Sequence, residues 1–212
     1  DFIGDEAGRQ IKPQLIALLS RTAPFALDDE AHKRLIGLMV NLTLGRDGKR
    51  AVIGFAEARR VLIATDDEGR VEALGMLART KQTDEMWTYL IRPFLLEAWP
   101  RQLRYQTGNT ARQLAQIAEH AEARFPEVVA LILPFLRPVA HLDTFAYRIK
   151  KQGEEGKGYS VDYPADTLTL LNALVGDDRQ ALPWNLRELV DLIGEAQPAL
   201  RQAEKRRGKS AI

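Results

Sequence analysis

The chain contains no cysteine, which excludes disulfide bonds, thiolate catalysis and the commonest structural zinc sites. Its apolar runs, such as 128–136, are far shorter than the roughly 18 residues that a membrane-spanning helix requires. The first residues lack the basic, apolar and small-residue order of a secretory signal. We therefore expect a protein of the reducing cytoplasm with no membrane partner. Because the chain begins at Asp1 and not at methionine, we expect it to be a fragment or a processed product.

An excess of charge of one sign is also lacking, because 30 lysine and arginine residues face 29 aspartate and glutamate residues. A net charge of +1 provides no global attraction to nucleic acid or acidic lipid, so any such attraction requires a local patch. Arginine outnumbers lysine by more than two to one, and alanine and leucine are abundant, which is typical of a G+C-rich bacterial coding sequence. A length of 212 residues permits one large domain or two small ones.

Strand patterns are nearly absent, whereas apolar residues recur at helical spacing along most of the chain. Thr65 or Asp66 is the predicted cap of one helix, and Thr83 is the predicted cap of the next. We predict about ten helices, at 11–21, 28–45, 50–64, 67–79, 83–99, 110–124, 126–139, 164–175, 183–196 and from 198 onward. The fold class is therefore all-α.

A similar run of side chains occurs twice, Tyr-Leu-Ile-Arg-Pro-Phe-Leu at 89–95 and Ala-Leu-Ile-Leu-Pro-Phe-Leu at 130–136, with an offset of 41 residues. Such an interval is typical of stacked helical pairs, since one pair alone cannot bury its apolar face. In the clearest pair, we predict an outer amphipathic helix at 110–124 and an inner apolar helix at 126–139, which Pro134 should bend. Glu119 and Glu122 belong to the predicted outer, polar face.

Helices of this length, with a proline in the inner member and a spacing near 40, resemble HEAT-like repeats, best over 83–140. The resemblance implies antiparallel helix pairs stacked into a short right-handed α-α superhelix. A weaker likeness, at 168–175 and 186–199, is to the C-terminal helical region of large bacterial multidomain proteins of the phage-defence type, whose catalytic domains lie elsewhere.

The region 141–163 departs from a regular HEAT pattern, because a long segment rich in glycine and charge replaces a repeat. We predict a helical repeat array over 1–147, a flexible loop over 148–159 and a C-terminal helical cap with a basic tail over 160–212, packed together as one domain.

Side-chain patterns that carry chemistry are not found in the sequence. His32, His120 and His141 are far apart and none has the spacing of a metal ligand set. Acidic pairs such as 66–67 and 84–85 lie at helix starts, where the helix dipole accounts for them without an ion. We therefore expect no catalytic residue, no metal and no cofactor, so the chain is predicted not to be an enzyme.

Two sets of side chains are candidates for recognition. Tryptophans are common interface anchors when exposed, but at helical spacing among leucines they more often belong to a core. The candidate anchors are Trp87, Trp99 and Trp184. Clustered cations can bind phosphates. The candidate nucleic-acid contacts are Arg101, Arg104, Arg112, Lys205, Arg206 and Arg207, with Tyr105 beside them. The sequence favours a scaffold that binds another protein or another domain of its parent chain, and the alternative is a nucleic-acid-binding helical module.

Overall fold

The computed structural model describes residues 29–45, 53–139, 158–175 and 184–200, together with isolated positions at 10, 13, 14, 17, 51, 142, 145, 147 and 149. All regular elements in these ranges are helical, which confirms the predicted all-α class with about ten helices. The chain divides into two compact units, 1–105 and 106–212. Within the described ranges, no helix combines the length and the apolar character needed to cross a membrane.

Among the continuous described ranges, the first unit has four helices followed by a 3-10 turn. They are α1 (Asp29–Leu44), α2 (Phe55–Ala64), α3 (Asp67–Leu77), α4 (84–98) and the turn Leu103–Tyr105. The same ranges contain five helices of the second unit, and 3-10 turns lie on both sides of the second of these. They are α5 (Gly108–Glu119), the turn Glu122–Arg124, α6 (Phe125–Ile132), the turn Leu133–Phe135, α7 (Tyr159–Asp162), α8 (Pro164–Val175) and α9 (Trp184–Ala196). The predicted helix at 11–21 falls mostly outside the described residues.

Short polar side chains cap three of these helices. Asp66 Oδ1 accepts a hydrogen bond from Gly69 N at 2.8 Å, and Thr83 Oγ1 accepts one from Met86 N at 3.1 Å, so both predicted caps are confirmed. Thr107 caps α5, which therefore begins at Gly108, earlier than predicted. The predicted start of α2 at residue 50 is wrong. Ile53 is buried outside the helix, and its N–H donates to Leu42 O at 3.3 Å.

Helix α4 winds more widely than an α-helix on both sides of Pro93. Trp87–Ile91 and Phe94–Ala98 are π-helical, and Trp99 N donates to Phe94 O at 2.8 Å, five residues back. Proline lacks the N–H of a regular helical ladder, and π-bulges accommodate such interruptions. The predicted end of this helix next to Pro100 agrees with the observed end at Ala98.

Helices α1 and α3 pack side by side in the same direction. His32 Nε2 lies 3.3 Å from Asp66 Oδ1 at the start of both helices, and a Cβ on Gly37 would lie 3.6 Å from Met76 Sδ further along both. The residue numbers rise together, so the helices run parallel. Helix α2 connects α1 to α3 in the sequence and packs on α4. There, Arg59 Nη2 donates to both carboxylate oxygens of Glu97, at 2.6 and 2.7 Å. Stacked helical pairs place parallel helices beside each other in this way, but the HEAT-like superhelix itself stays a prediction.

In the second unit, α5 packs on α6 and α8 contacts α6, α7 and α9. The predicted division into an outer and an inner helix is wrong in two places. Glu119, expected on the polar face, is only 2% exposed, while Leu133, expected inside, is 37% exposed. Leu133 is exposed because α6 ends at Ile132, and the following 3-10 turn at Leu133–Phe135 has a different rotation per residue. Glu119 lies at the end of α5 beside the buried Tyr159, whose hydroxyl donates to Glu119 O at 3.3 Å. The predicted bend of a helix over 126–139 at Pro134 is also wrong, because the α-helix ends at Ile132 and the chain is extended at Leu136, after the turn that contains Pro134.

The predicted loop at 148–159 lies mostly outside the described residues. Its last residue, Tyr159, is helical and completely buried, and its ring stacks on that of Phe125 with centroids 4.1 Å apart.

Candidate functional site

An open groove of about 490 Å³ runs between α1 and α3. One wall presents the face of α1 formed by Glu30, Lys33, Arg34, Gly37, Leu38 and Asn41. The other wall presents Glu72 and Met76 of α3 and Arg79 just beyond its end. Its volume lies within the range of about 300–1,000 Å³ that ligand sites occupy.

The groove exists because small and apolar residues lie where the two helices face each other. Gly37 has no side chain to fill the space opposite Met76. Leu38 and Met76 provide apolar surface within the groove, and a methionine side chain adapts readily to different partners. Charged residues one helical turn away on each helix complete the walls. The result is a partly apolar channel with charged edges.

Some of the groove's charges are neutralised locally. Arg34 Nε donates to Glu30 Oε1 at 3.1 Å, and Lys33 Nζ lies 3.8 Å from Glu68 Oε2. In contrast, the side chains of Glu72 and Arg79 have no hydrogen-bond or ion-pair partner in the part of the chain that the structure describes. The groove therefore offers one carboxylate and one guanidinium to a ligand.

Asn41 adds a third polar feature. Its Oδ1 is shielded from solvent and has no hydrogen-bond partner among the described residues. A shielded amide oxygen without a donor is costly, since it has lost its hydrogen bonds to water without replacement. Asn41 lines the groove, but its Oδ1 has almost no accessible surface, so a ligand donor reaches this atom only if the side chain turns.

A buried histidine fixes the start of α3 against α1. His32 Nε2 lies 2.9 Å from Thr65 Oγ1 and 3.3 Å from Asp66 Oδ1, and the Asp66 carboxylate also accepts from Gly69 N. His32 is 5% exposed. These contacts join the cap of α3 to a side chain of α1, next to Lys33 of the groove. No group of three or more histidine, aspartate or glutamate residues is arranged to hold a metal ion among the described residues.

The predicted tryptophan anchors lie elsewhere. Trp87 and Trp99 are buried at 5% and 3% exposure, and the Trp99 ring meets Phe94 edge to face with centroids 6.1 Å apart. Both are therefore core residues of the first unit and are not exposed anchors. The side chain of Trp184, where α9 begins, lies outside the described residues.

The structure brings together only part of the predicted basic set. Arg101 and Arg104 are exposed in the first unit, where Arg104 Cζ lies 4.6 Å from the centre of the Tyr105 ring and Arg101 Nη2 donates to Leu96 O at 3.0 Å. Arg112 is exposed on α5 of the second unit. The tail residues Lys205, Arg206 and Arg207 lie outside the described residues.

The turn that carries Arg104 is not purely basic. Burial raises the pKa of Tyr105, Arg104 lowers it, and the nearby charges of Asp67, Glu68 and Asp66 raise it further. Negative charge at the start of α3 therefore acts at the same tyrosine as Arg104, and it weakens the attraction of this turn for phosphate.

Sequence reasoning missed the groove, although one of its walls can be recognised in the sequence. The polar and small residues of α1 recur at spacings of three and four from Glu30 to Asn41. The other wall could not be predicted, because it depends on α3 packing parallel to α1.

Comparison with protein-family models, with curated proteins and with solved structures finds no match for this chain.

Proposed function

We propose that this chain is a protein-interaction scaffold, without catalysis of its own, which binds a segment of another protein or of another domain of its parent chain in the α1–α3 groove. The single observation that carries the proposal is the groove itself, because it combines apolar surface with unpaired polar groups at an open surface. The lack of cysteine agrees with a role in a reducing cytoplasm.

The character of the groove suits a polypeptide ligand. Protein interfaces combine an apolar centre with a polar rim. In this groove, Leu38 and Met76 provide the apolar centre, and the charged residues at the edges provide the polar rim. An unpaired carboxylate and an unpaired guanidinium give specificity, since a ligand of the wrong charge pattern would desolvate them without compensation.

The experiment is a selection of binders to the immobilised chain from a random peptide library, followed by affinity measurements on variants. Arg79→Glu and Glu72→Arg change exposed side chains, so the fold should persist. We expect each variant to weaken the selected peptides by about tenfold, equivalent to about 1.4 kcal/mol.

The matched control is Arg60→Glu, which reverses an exposed charge on α2 outside the groove. It should leave the affinities unchanged. If the library yields no binder, or if the binders tolerate both groove variants while the circular-dichroism spectrum remains native, the proposed function is wrong.

A further inference from the structure

Two groove charges that have no partner among the described residues lie at a regular spacing along one wall. Glu72 and Arg79 are seven residues apart along α3 and its C-terminal turn, which corresponds to two helical turns, or about 10 Å. Neither has an ion-pair partner in the described ranges. Between them lies Met76, which faces Gly37 across the groove.

We infer, on the basis of the proposed function, that the groove takes an amphipathic helix bearing one cationic and one anionic side chain two turns apart. The cation of the ligand pairs with Glu72 and its anion with Arg79. The apolar residues between them pack on Leu38 and Met76. The ligand helix therefore carries its two charges at positions i and i+7 on one face.

The supply of hydrogen-bonding groups favours a helix over an extended segment. An extended peptide needs partners for its backbone N–H and C=O groups, which sheet edges usually provide. The described part of the chain contains no strand, so the groove has no sheet edge there that could pair with an extended backbone. A helix satisfies its own backbone, so it requires no backbone hydrogen bonds from the groove.

The groove charges that already have a partner within the chain should contribute less to the recognition of the ligand. Arg34 is already bound to Glu30, and Lys33 lies close to Glu68, so these side chains attract a ligand less than Arg79 does. The positive end of the ligand should therefore be directed by Glu72, and the negative end by Arg79. The interaction should be sensitive to salt, since these residues are exposed.

The test uses three synthetic helical peptides with a common apolar face. They carry lysine and glutamate, two lysines, or two glutamates at positions i and i+7. The unmodified chain should bind the mixed peptide about threefold to tenfold more tightly than either other peptide, as measured by fluorescence anisotropy at low salt. Peptide helicity should rise on binding.

Single charge reversals should change the order of preference. Glu72→Arg leaves two cations and no carboxylate on the α3 wall of the groove, so this variant should prefer the peptide with two glutamates. Arg79→Glu leaves two carboxylates and no cation on that wall, so this variant should prefer the peptide with two lysines. Arg60→Glu should retain the preference for the mixed peptide.

The outcomes separate this inference from the proposed function. If library peptides depend on the groove but the three helices bind every variant in the same order, the inferred charge pattern is wrong and the scaffold function stands. Binding of groove-dependent peptides that stay extended would also overturn the inference. If the library selection yields no binder, both the scaffold function and the inferred charge pattern are wrong.

Discussion

At the scale of single residues, Tyr159 links the interior of the second unit to a backbone turn. Its hydroxyl accepts from Glu122 N at 2.8 Å and donates to Glu119 O at 3.3 Å, and Glu122 has an unusual positive φ of 51°. Its own carbonyl accepts from Thr167 Oγ1 at 2.9 Å. The side chain of Tyr159 therefore stabilises the strained turn after α5, and its backbone carbonyl holds the first turn of α8.

The ionisation of Tyr159 should make stability fall at alkaline pH. Burial raises the pKa of its phenol from 10 to about 12. Because the folded state disfavours the phenolate, this contribution is fully present below the unfolded pKa of 10 and is lost as pH rises through 12. Urea unfolding from pH 8 to pH 12 should show the loss. Absorbance near 295 nm should show one tyrosine that ionises after the others.

Tyr159→Phe is the matched control, because it retains the ring stacked on Phe125 and removes only the hydroxyl. The variant should be less stable by about 1–2 kcal/mol at neutral pH, since Glu122 N loses its acceptor. That difference from the unmodified chain should shrink above pH 10. A constant difference across this range would show that Tyr159 does not ionise late.

At the scale of elements, two helical glycines of the first unit face neighbours at different distances. A Cβ on Gly69 would lie 2.8 Å from Thr65 Oγ1 and 3.0 Å from His32 Nε2, closer than real contacts allow. A Cβ on Gly37 would lie 3.6 Å from Met76 Sδ, an ordinary contact. The helix propensity of alanine exceeds that of glycine by about 1 kcal/mol in both positions.

The two alanine substitutions should therefore have opposite effects on the free energy of unfolding. Gly37→Ala should stabilise the chain by about 0.5–1 kcal/mol, because only the propensity changes. Gly69→Ala should destabilise it despite the same gain, because the methyl group displaces the hydrogen-bonded atoms that hold α3 on α1. Thermal or urea denaturation of both variants measures the difference. A stabilised Gly69→Ala variant would contradict the packing of His32 described above.

At the scale of the whole molecule, the sequence predicted local features better than contacts between residues that are distant in the sequence. The all-α class and the caps Asp66 and Thr83 follow from short-range rules, because the responsible atoms lie within three residues of each other. The burial of Glu119 and the π-helical winding around Pro93 did not follow, since both depend on contacts or geometry beyond the local pattern. The groove was not predicted for the same reason, because parallel packing of α1 and α3 joins residues about 35–40 positions apart.

The charge of the whole chain also bears on the choice between protein binding and nucleic-acid binding. With a net charge of +1, the chain depends on local patches to attract phosphate. In the first unit, Arg104 lies on a turn where the charges of Asp66, Asp67 and Glu68 also act, and Arg101 lies just before this turn. Two exposed arginines near three acids provide little counterion release.

We therefore expect binding to a random-sequence duplex to be weaker than about 10⁻⁴ M near physiological salt, with little further gain at 50 mM salt. Fluorescence anisotropy of a labelled duplex at both salt concentrations measures this. Arg101→Glu and Arg104→Glu should change nothing, as should the control Arg60→Glu. A steep increase in affinity at low salt that disappears in the first two variants but persists in the control would instead establish the nucleic-acid alternative, because only a phosphate-binding turn produces that combination.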